Sequence, residues 1–120
     1  EPLLSALYNI HTRKSGTELS IGYSARITGK RLKIAGNEAK TGLYLASCTE
    51  EGIYDPDPSS WISLGMENIV DNTNTKILFN IPDSVTAGNY RLIIKTAYGS
   101  GTRINKTVRT GVFVETVSIA

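Results

Sequence analysis

The amino-acid sequence predicts an all-β fold, an antiparallel β-sandwich of about eight short strands. Apolar residues recur at every second position along most of the chain, as in strands with one buried face. Glycine, proline and asparagine separate these segments at short intervals. No segment keeps the i, i+3, i+4 apolar spacing of an amphipathic helix. An antiparallel barrel is the main alternative, because it has the same periodicity.

The first half of the chain contains four strand candidates. The clearest is the segment 19–28, where every odd residue is apolar, so these residues should face the core together and Gly29 should end the strand. The four candidates are Leu3–Ile10, Leu19–Thr28 (with Leu19, Ile21, Tyr23, Ala25 and Ile27 inward), Arg31–Ile34 and Gly42–Cys48.

The second half contains shorter candidates and one long one. Thr75–Ile81 should end at Pro82, because proline cannot donate to a ladder. Asn89–Tyr98 is the longest and should form a hairpin with Arg103–Arg109 through Gly99–Gly101, with Val112–Ile119 continuing or replacing that partner at the edge. The remaining candidates are Trp61–Leu64 and Asn68–Val70, and the inward residues predicted for the long strand are Tyr90, Leu92, Ile94 and Tyr98.

One local feature favours an immunoglobulin-like sandwich. Tyr90 follows Gly88 at the start of the longest strand, which is the position of the tyrosine corner in such domains. Leu92 then stands where antibody domains carry a cysteine, so the core would be apolar rather than disulfide-linked. The alternative is that Tyr90 is an ordinary core aromatic residue.

Length and composition suit one globular domain over residues 1–120. The net charge is only +2, so global charge does not require a nucleic-acid partner. A single cysteine, Cys48, excludes an intramolecular disulfide. No apolar stretch approaches the ~20 residues of a membrane span. Because the chain begins with Glu1, we expect a processed product or an excised domain.

Several segments carry a resemblance to a known family. They are GKRLKIAG (29–36), TGLYL (41–45), LFNIP (78–82), AGNYRL (87–92) and KTVRT (106–110). With these segments the chain resembles an uncharacterised bacterial immunoglobulin-like domain that typically follows an HU-like (histone-like) DNA-binding domain in proteins of gut anaerobes. The resemblance implies a fold, an N-terminal HU-like neighbour, DNA as an indirect partner, and a cytoplasmic, nucleoid-associated location. It implies no catalytic or ligand-binding residue.

No residue pattern predicts catalysis, a cofactor or a metal site. His11 is read as a polar loop residue, and Cys48 as a buried, inert thiol. The acidic loop of Glu50, Glu51, Asp55 and Asp57 lacks the glycine and late glutamate of a calcium loop, so we expect a solvated loop. Trp61 is expected to be half core and half rim, with a sugar-binding cleft as the alternative. The sequon at 105–107 is attributed to chance.

Basic residues gather in the last third of the chain, where no acid occurs between Asp83 and Glu115. If the hairpin forms, one sheet surface would present Arg91 and Lys95 outward. A solvated face is the simpler interpretation, and contact with a DNA phosphate backbone is the alternative. The full basic set is Arg91, Lys95, Arg103, Lys106 and Arg109.

The sequence therefore predicts a non-catalytic accessory or interaction domain of a bacterial HU-like DNA-binding protein. The alternative is an exported or cell-surface immunoglobulin-like module that binds glycan or protein, or acts as a spacer. The apolar segment 112–117 has one charge, Glu115, and is expected to form a sheet edge through which the chain self-associates or meets a neighbouring domain.

Overall fold

The computed structural model describes residues 1–99 and 104–120, apart from the side chains of residues 105 and 106. Within this part the chain forms strands and two short 3-10 helices, Pro58–Ser60 and Met66–Asn68, and no α-helix. None of these helices is long and apolar enough to cross a membrane. The strands are β1 (Leu3–Asn9), β2 (Lys14–Ser15), β3 (Glu18–Leu19), β4 (Ser24–Lys30), β5 (Gly42–Ser47), β6 (Ile62–Leu64), β7 (Ile69–Asn72), β8 (Lys76–Asn80), β9 (Gly88–Tyr98), β10 (Ile104–Val112) and β11 (Val117–Ile119).

The strands form two sheets that pack as an immunoglobulin-like sandwich. The first sheet has the order β2-β1-β4-β8-β7, and the second has the order β3-β11-β9-β5-β6, with β10 also paired to β9. In immunoglobulin lettering β1, β4, β8 and β7 correspond to A, B, E and D, while β5, β9 and β10–β11 correspond to C, F and G. The predicted fold class is confirmed, and the barrel alternative is wrong because the strands divide into two separate sheets.

The core lies between the two sheets and is predominantly apolar, although the polar residues Asn9, Thr41 and Thr96 are also buried. Leu92 and Ile94 in β9 have no exposed surface, which confirms the register predicted for this strand. Tyr98, predicted on the same face, is half-buried and lies outside the core cluster. The members that the first sheet contributes include Leu7, Ala25, Ile27, Ile77 and Phe79, and the second sheet contributes Leu43, Leu45, Tyr90, Leu92, Ile94, Val117 and Ile119.

The tyrosine corner predicted at Tyr90 is confirmed. The Tyr90 side chain is buried, and its hydroxyl donates a 2.7 Å hydrogen bond to the backbone carbonyl of Thr86. This bond ties the entry turn of β9 to the strand itself. Leu92 follows two residues later in the core, where antibody domains use a disulfide.

The single strand predicted over 19–28 is wrong, because the chain changes sheets there. Leu19 lies in β3 and pairs in parallel with Ile119 of the second sheet, whereas β4 begins at Ser24 in the first sheet. Gly22 makes the turn between them with a φ of +83°. Tyr23 sits at the end of that turn and is 49% exposed, not inward. Apolar residues stay at odd positions both before and after this turn, so the alternation alone does not reveal it.

Gly29 does not end β4, which continues to Lys30. A side chain at Gly29 would collide with the Leu3 carbonyl of β1. The glycine therefore permits close approach of the two backbones beside the irregularity between Leu4 and Ala6.

Residues 31–34 are extended and not paired as a strand. The backbone N–H of Leu32 bonds to Asn74 near β8, and Ala35 bonds to Thr96 Oγ1 of β9, so the segment crosses from one sheet to the other. Leu32 and Ile34 are buried, as the alternation predicts, but the pairing prediction is wrong. Asn72 supplies the missing partners by exchanging two side-chain hydrogen bonds with Ile34.

The hairpin of β9 and β10 is confirmed, although most of its predicted loop, residues 100–101, lies outside the described residues. The continuous edge strand predicted over 112–117 is wrong. β10 ends at Val112, paired with Ile93, and β11 starts at Val117, paired with Tyr90. The intervening residues form a bulge, and β11 lies between β9 and β3 instead of at an edge.

Candidate functional site

The outer face of the second sheet carries a second, smaller apolar cluster. Its buried members are Tyr44, Ala46 and Ile93. The loop between β5 and β6 folds over them and adds Tyr54 and Trp61, while Val112 of β10 packs from the side. This face, including Arg91 on the same side of β9, is called the outer face below.

Trp61 closes this cluster at its rim. Its ring contacts the rings of Tyr44 and Tyr54 edge-on, with centroid distances of 5.7 Å and 6.2 Å. Its indole N–H donates to the Asp55 carbonyl at 2.7 Å. Burial in this cluster raises the pKa of Tyr44 above its ordinary 10.0. The packing supports the prediction that Trp61 is half core and half rim.

The acidic loop uses its carboxylates as turn caps. Asp55 Oδ1 accepts the backbone N–H of Asp57, and Asp57 Oδ1 accepts that of Ser59 at the start of the first 3-10 helix. These bonds from Ser59 lower the pKa of Asp57 below its ordinary 3.8. Across residues 1–99 and 104–120, no group of three or more metal-ligating side chains is placed to hold a metal ion.

Arg91 is the most extensively bonded charged side chain of the outer face. Its guanidinium donates to the backbone carbonyls of Gly52 (2.8 Å), Phe113 (3.0 and 3.2 Å) and Val114 (3.3 Å). It also lies over the ring of Tyr54, 5.5 Å from the centroid. Arg91 is therefore half-buried, and the prediction that it would be exposed is wrong.

The bulge explains why an arginine is needed here. The N–H of Phe113 still bonds to the Leu92 carbonyl of β9, but the chain then leaves the ladder with β9 until β11 begins. The carbonyls of Phe113 and Val114 therefore have no strand partner. A planar guanidinium can reach two such carbonyls and a third on another loop at the same time. That third carbonyl belongs to Gly52, whose φ of +86° turns the loop toward Arg91. We call this set of contacts the Arg91 clamp.

The two other basic side chains of the set that the structure describes, Lys95 and Arg109, lie on opposite sides of the second sheet. Lys95 shares the outer face with Arg91 as predicted, and it lies between Gly42 of β5 and Thr110 of β10. It is half-buried like Arg91, so the prediction that it would be exposed is also wrong. Arg109 pairs with Thr96, so it points to the opposite side of the sheet, where it is exposed. Arg103 and the side chain of Lys106 lie outside the described residues. The role of the basic set in binding a DNA phosphate backbone stays a prediction.

Two single residues singled out in the sequence have local roles. His11 is exposed and stacks on Tyr23, with ring centroids 3.7 Å apart. The buried side chain of Asn9 holds this turn by accepting the backbone N–H groups of His11 and Thr12. Cys48 is partly buried and not fully buried as predicted, because it follows the end of β5 at a bridge to Tyr54.

The sequence did not reveal a surface cleft of about 450 Å³ at one end of the sandwich. The cleft lies between the crossing segment 34–38, the start of β5 and the turn after β6. Glu38 and Glu67 provide acceptor oxygens, and Met66 provides an exposed apolar wall. The residues come from segments about thirty positions apart in the sequence, so no local motif could have indicated the cleft.

Residues 4–111 match a family described as "Domain of unknown function (DUF4469) with IG-like fold". The match covers most of the chain, and the chain belongs to this family. No curated protein matches it at a significant level.

A solved structure from Bacteroides vulgatus ATCC 8482 has the same fold, with a TM-score of 0.82 and 24% sequence identity. That protein is provisionally described as a bacterial DNA-binding protein. The match covers 98% of the present chain but 47% of the solved one, so the chain spans about half the length of this relative.

Proposed function

We propose that residues 1–120 are one non-catalytic accessory domain of a bacterial DNA-binding protein, adjacent to an HU-like domain that makes the main DNA contact. One observation carries the proposal: a protein of the same fold, described as DNA-binding, is about twice as long as this chain. The unmatched half of such a protein offers room for a separate DNA-binding domain. A cytoplasmic, nucleoid-associated location follows from this role.

The geometry of the three basic side chains that the structure describes, Arg91, Lys95 and Arg109, supports an accessory role over direct DNA binding. Sequence-independent DNA binding needs several cations that reach phosphates from one surface. Arg91 is engaged with three backbone carbonyls, and Arg109 projects on the side opposite Lys95. Phosphate contact is therefore assigned to the neighbouring domain, and this domain supplies positioning or partner binding.

The test compares three proteins in titrations with duplex DNA at several salt concentrations. They are the full-length parent, the isolated chain 1–120, and the parent without this chain. For the parent, we expect the logarithm of the DNA-binding constant to fall steeply with the logarithm of the salt concentration. The shortened parent should keep most of that slope. The isolated chain should give no measurable slope, whereas contact through three cations would give a slope of roughly −3. A parent that does not bind DNA, or an isolated chain that binds as steeply as the parent, would refute the proposal.

A second candidate function is an exported module that binds another protein. Its protein-binding part is favoured by Ile53 and Val114, which are 68% and 77% exposed on the two segments that the Arg91 clamp joins. Cell fractionation of the native organism distinguishes the two candidates. Recovery of the parent in the envelope or medium supports the exported module, and recovery with the nucleoid supports the accessory domain.

A further inference from the structure

Along β9, backbone hydrogen bonds alternate between its two neighbouring strands. This alternation identifies which backbone groups of β10 point away from β9, at the open edge of the sheet. The N–H of Cys48 after β5 bonds to Asn89, so odd residues of β9 bond toward β5. The N–H of Phe113 bonds to the carbonyl of Leu92, so even residues bond toward β10. Within the regular register from Arg109 to Val112, the residues whose backbone N–H and C=O groups bond to β9 are therefore Arg109 and Gly111.

Thr110 and Val112 consequently direct their N–H and C=O groups outward. Among the described residues, no hydrogen bond joins these outward groups to the rest of the chain. The neighbouring strand β3 covers β11 through pairs at residues 118 and 119 and does not extend to β10. The N-terminal segment lies against β10, with Pro2 buried beside Gly111, but it makes no backbone hydrogen bond to Thr110 or Val112. An edge with free N–H and C=O groups is the structure to which an extended peptide adds as a further strand.

The charge of this edge indicates which peptide it suits. Arg109 is exposed on β10, Lys95 lies across from Thr110, and no acidic residue occurs between Asp83 and Glu115. A second copy of β10 would bring like charges together across the new ladder, which destabilises a strand pair. Carboxylates on an incoming strand would instead lie near Arg109 on one side of the sheet, or on the same side as Lys95 on the other.

We propose that β10 binds an acidic, extended peptide segment as an added strand. Backbone hydrogen bonds to Thr110 and Val112 provide the attachment, and the cations near them select acidic side chains. The inference deepens the proposed function, because it locates the partner-binding surface of an accessory domain. It concerns a peptide and not DNA, so its test is separate from the DNA titration.

The experiment uses the 120-residue chain and two fluorescein-labelled, end-capped peptides of nine residues. One alternates glutamate with threonine and valine, and the other has lysine at each glutamate position. Fluorescence anisotropy measures affinity, and NMR amide exchange reports on Thr110 and Val112. We expect the glutamate peptide to bind at least about tenfold more tightly than the lysine peptide and to slow exchange at both amides.

Two variants at one position isolate the edge. Thr110→Pro removes an outward N–H without removing a bond to β9, and it should weaken peptide binding about tenfold or more. Thr110→Val keeps the N–H and should bind within about twofold of the unmodified chain. Arg109→Glu should reduce the preference for the glutamate peptide. Trp61 fluorescence during urea unfolding checks that each variant is folded.

Several results would overturn the proposal. They are no binding of the glutamate peptide, equal binding of both peptides, or equal binding by Thr110→Pro and Thr110→Val. Slowed exchange at β3 or β6 in place of Thr110 would place the peptide elsewhere. A stable dimer of the free chain in analytical ultracentrifugation, lost in Thr110→Pro, would assign the edge to a second copy. If Thr110→Pro does not fold, the exchange of Thr110 and Val112 in the unmodified chain still decides.

Discussion

The Arg91 clamp should be a main stabilising contact of the outer face. Replacing Arg91 with methionine keeps an unbranched apolar stem and removes every guanidinium hydrogen bond. Hydrogen bonds from a charged donor contribute about 1.5–3 kcal/mol each when buried, and the cation–π contact with Tyr54 adds about 0.5–1 kcal/mol. Because Arg91 is only half-buried and its bonds share one group, we expect a total loss of about 2–4 kcal/mol in the free energy of unfolding.

Urea unfolding followed by Trp61 fluorescence measures this loss. With an m-value of about 1.5 kcal/mol/M, the midpoint should fall by about 1–3 M. Lys95→Met is the matched control, because Lys95 lies on the same face of the same strand, and it should change stability by less than about 0.5 kcal/mol. Arg91→Lys should recover little, since an ammonium cannot reach three carbonyls as a planar fork does. Equal stability of Arg91→Met and Lys95→Met would refute the importance of the clamp.

Three further predictions concern the core, the tyrosine corner and the acidic loop. Leu92→Ala should cost about 2–5 kcal/mol because Leu92 is fully buried, whereas Ile104→Ala, at a residue 58% exposed, should stay near zero in the same urea assay. Tyr90→Phe should cost about 1–3 kcal/mol because the Thr86 carbonyl loses its donor, and an unchanged midpoint would contradict this. The Asp57 carboxyl should titrate below 3.8 by NMR. Its stabilising effect should therefore be present above that pH and lost as the pH falls through the lower folded-state value, and a midpoint at or above 3.8 would refute the cap.

The candidate surfaces were less predictable than the fold, for a physical reason. Sequence parity places Arg91 and Lys95 on one face, and the pairing of β5 with β9 agrees. Parity does not reveal that the carbonyls of Phe113 and Val114 need a donor, because that need arises from a bulge between two strands. The same bulge moves the free edge from 112–117 to β10, and the shifted register turns Arg109 to the other face. The role of Arg91 thus depends on residues about twenty and forty positions away.

The sequence by itself determined the all-β class, the inward face of β9 and the tyrosine corner. Each depends on spacing within one strand or one turn, and a period of two or a G-x-Y turn records that spacing directly. Only the tertiary structure decided that the chain changes sheets within two segments that read as strands, at residues 20–23 and at residues 31–36. An extended segment buries every second side chain whether its backbone pairs with a strand or crosses from one sheet to the other. Leu32 and Ile34 are buried like strand residues, but their backbone partners, Asn74 and Asn72, lie about forty residues away.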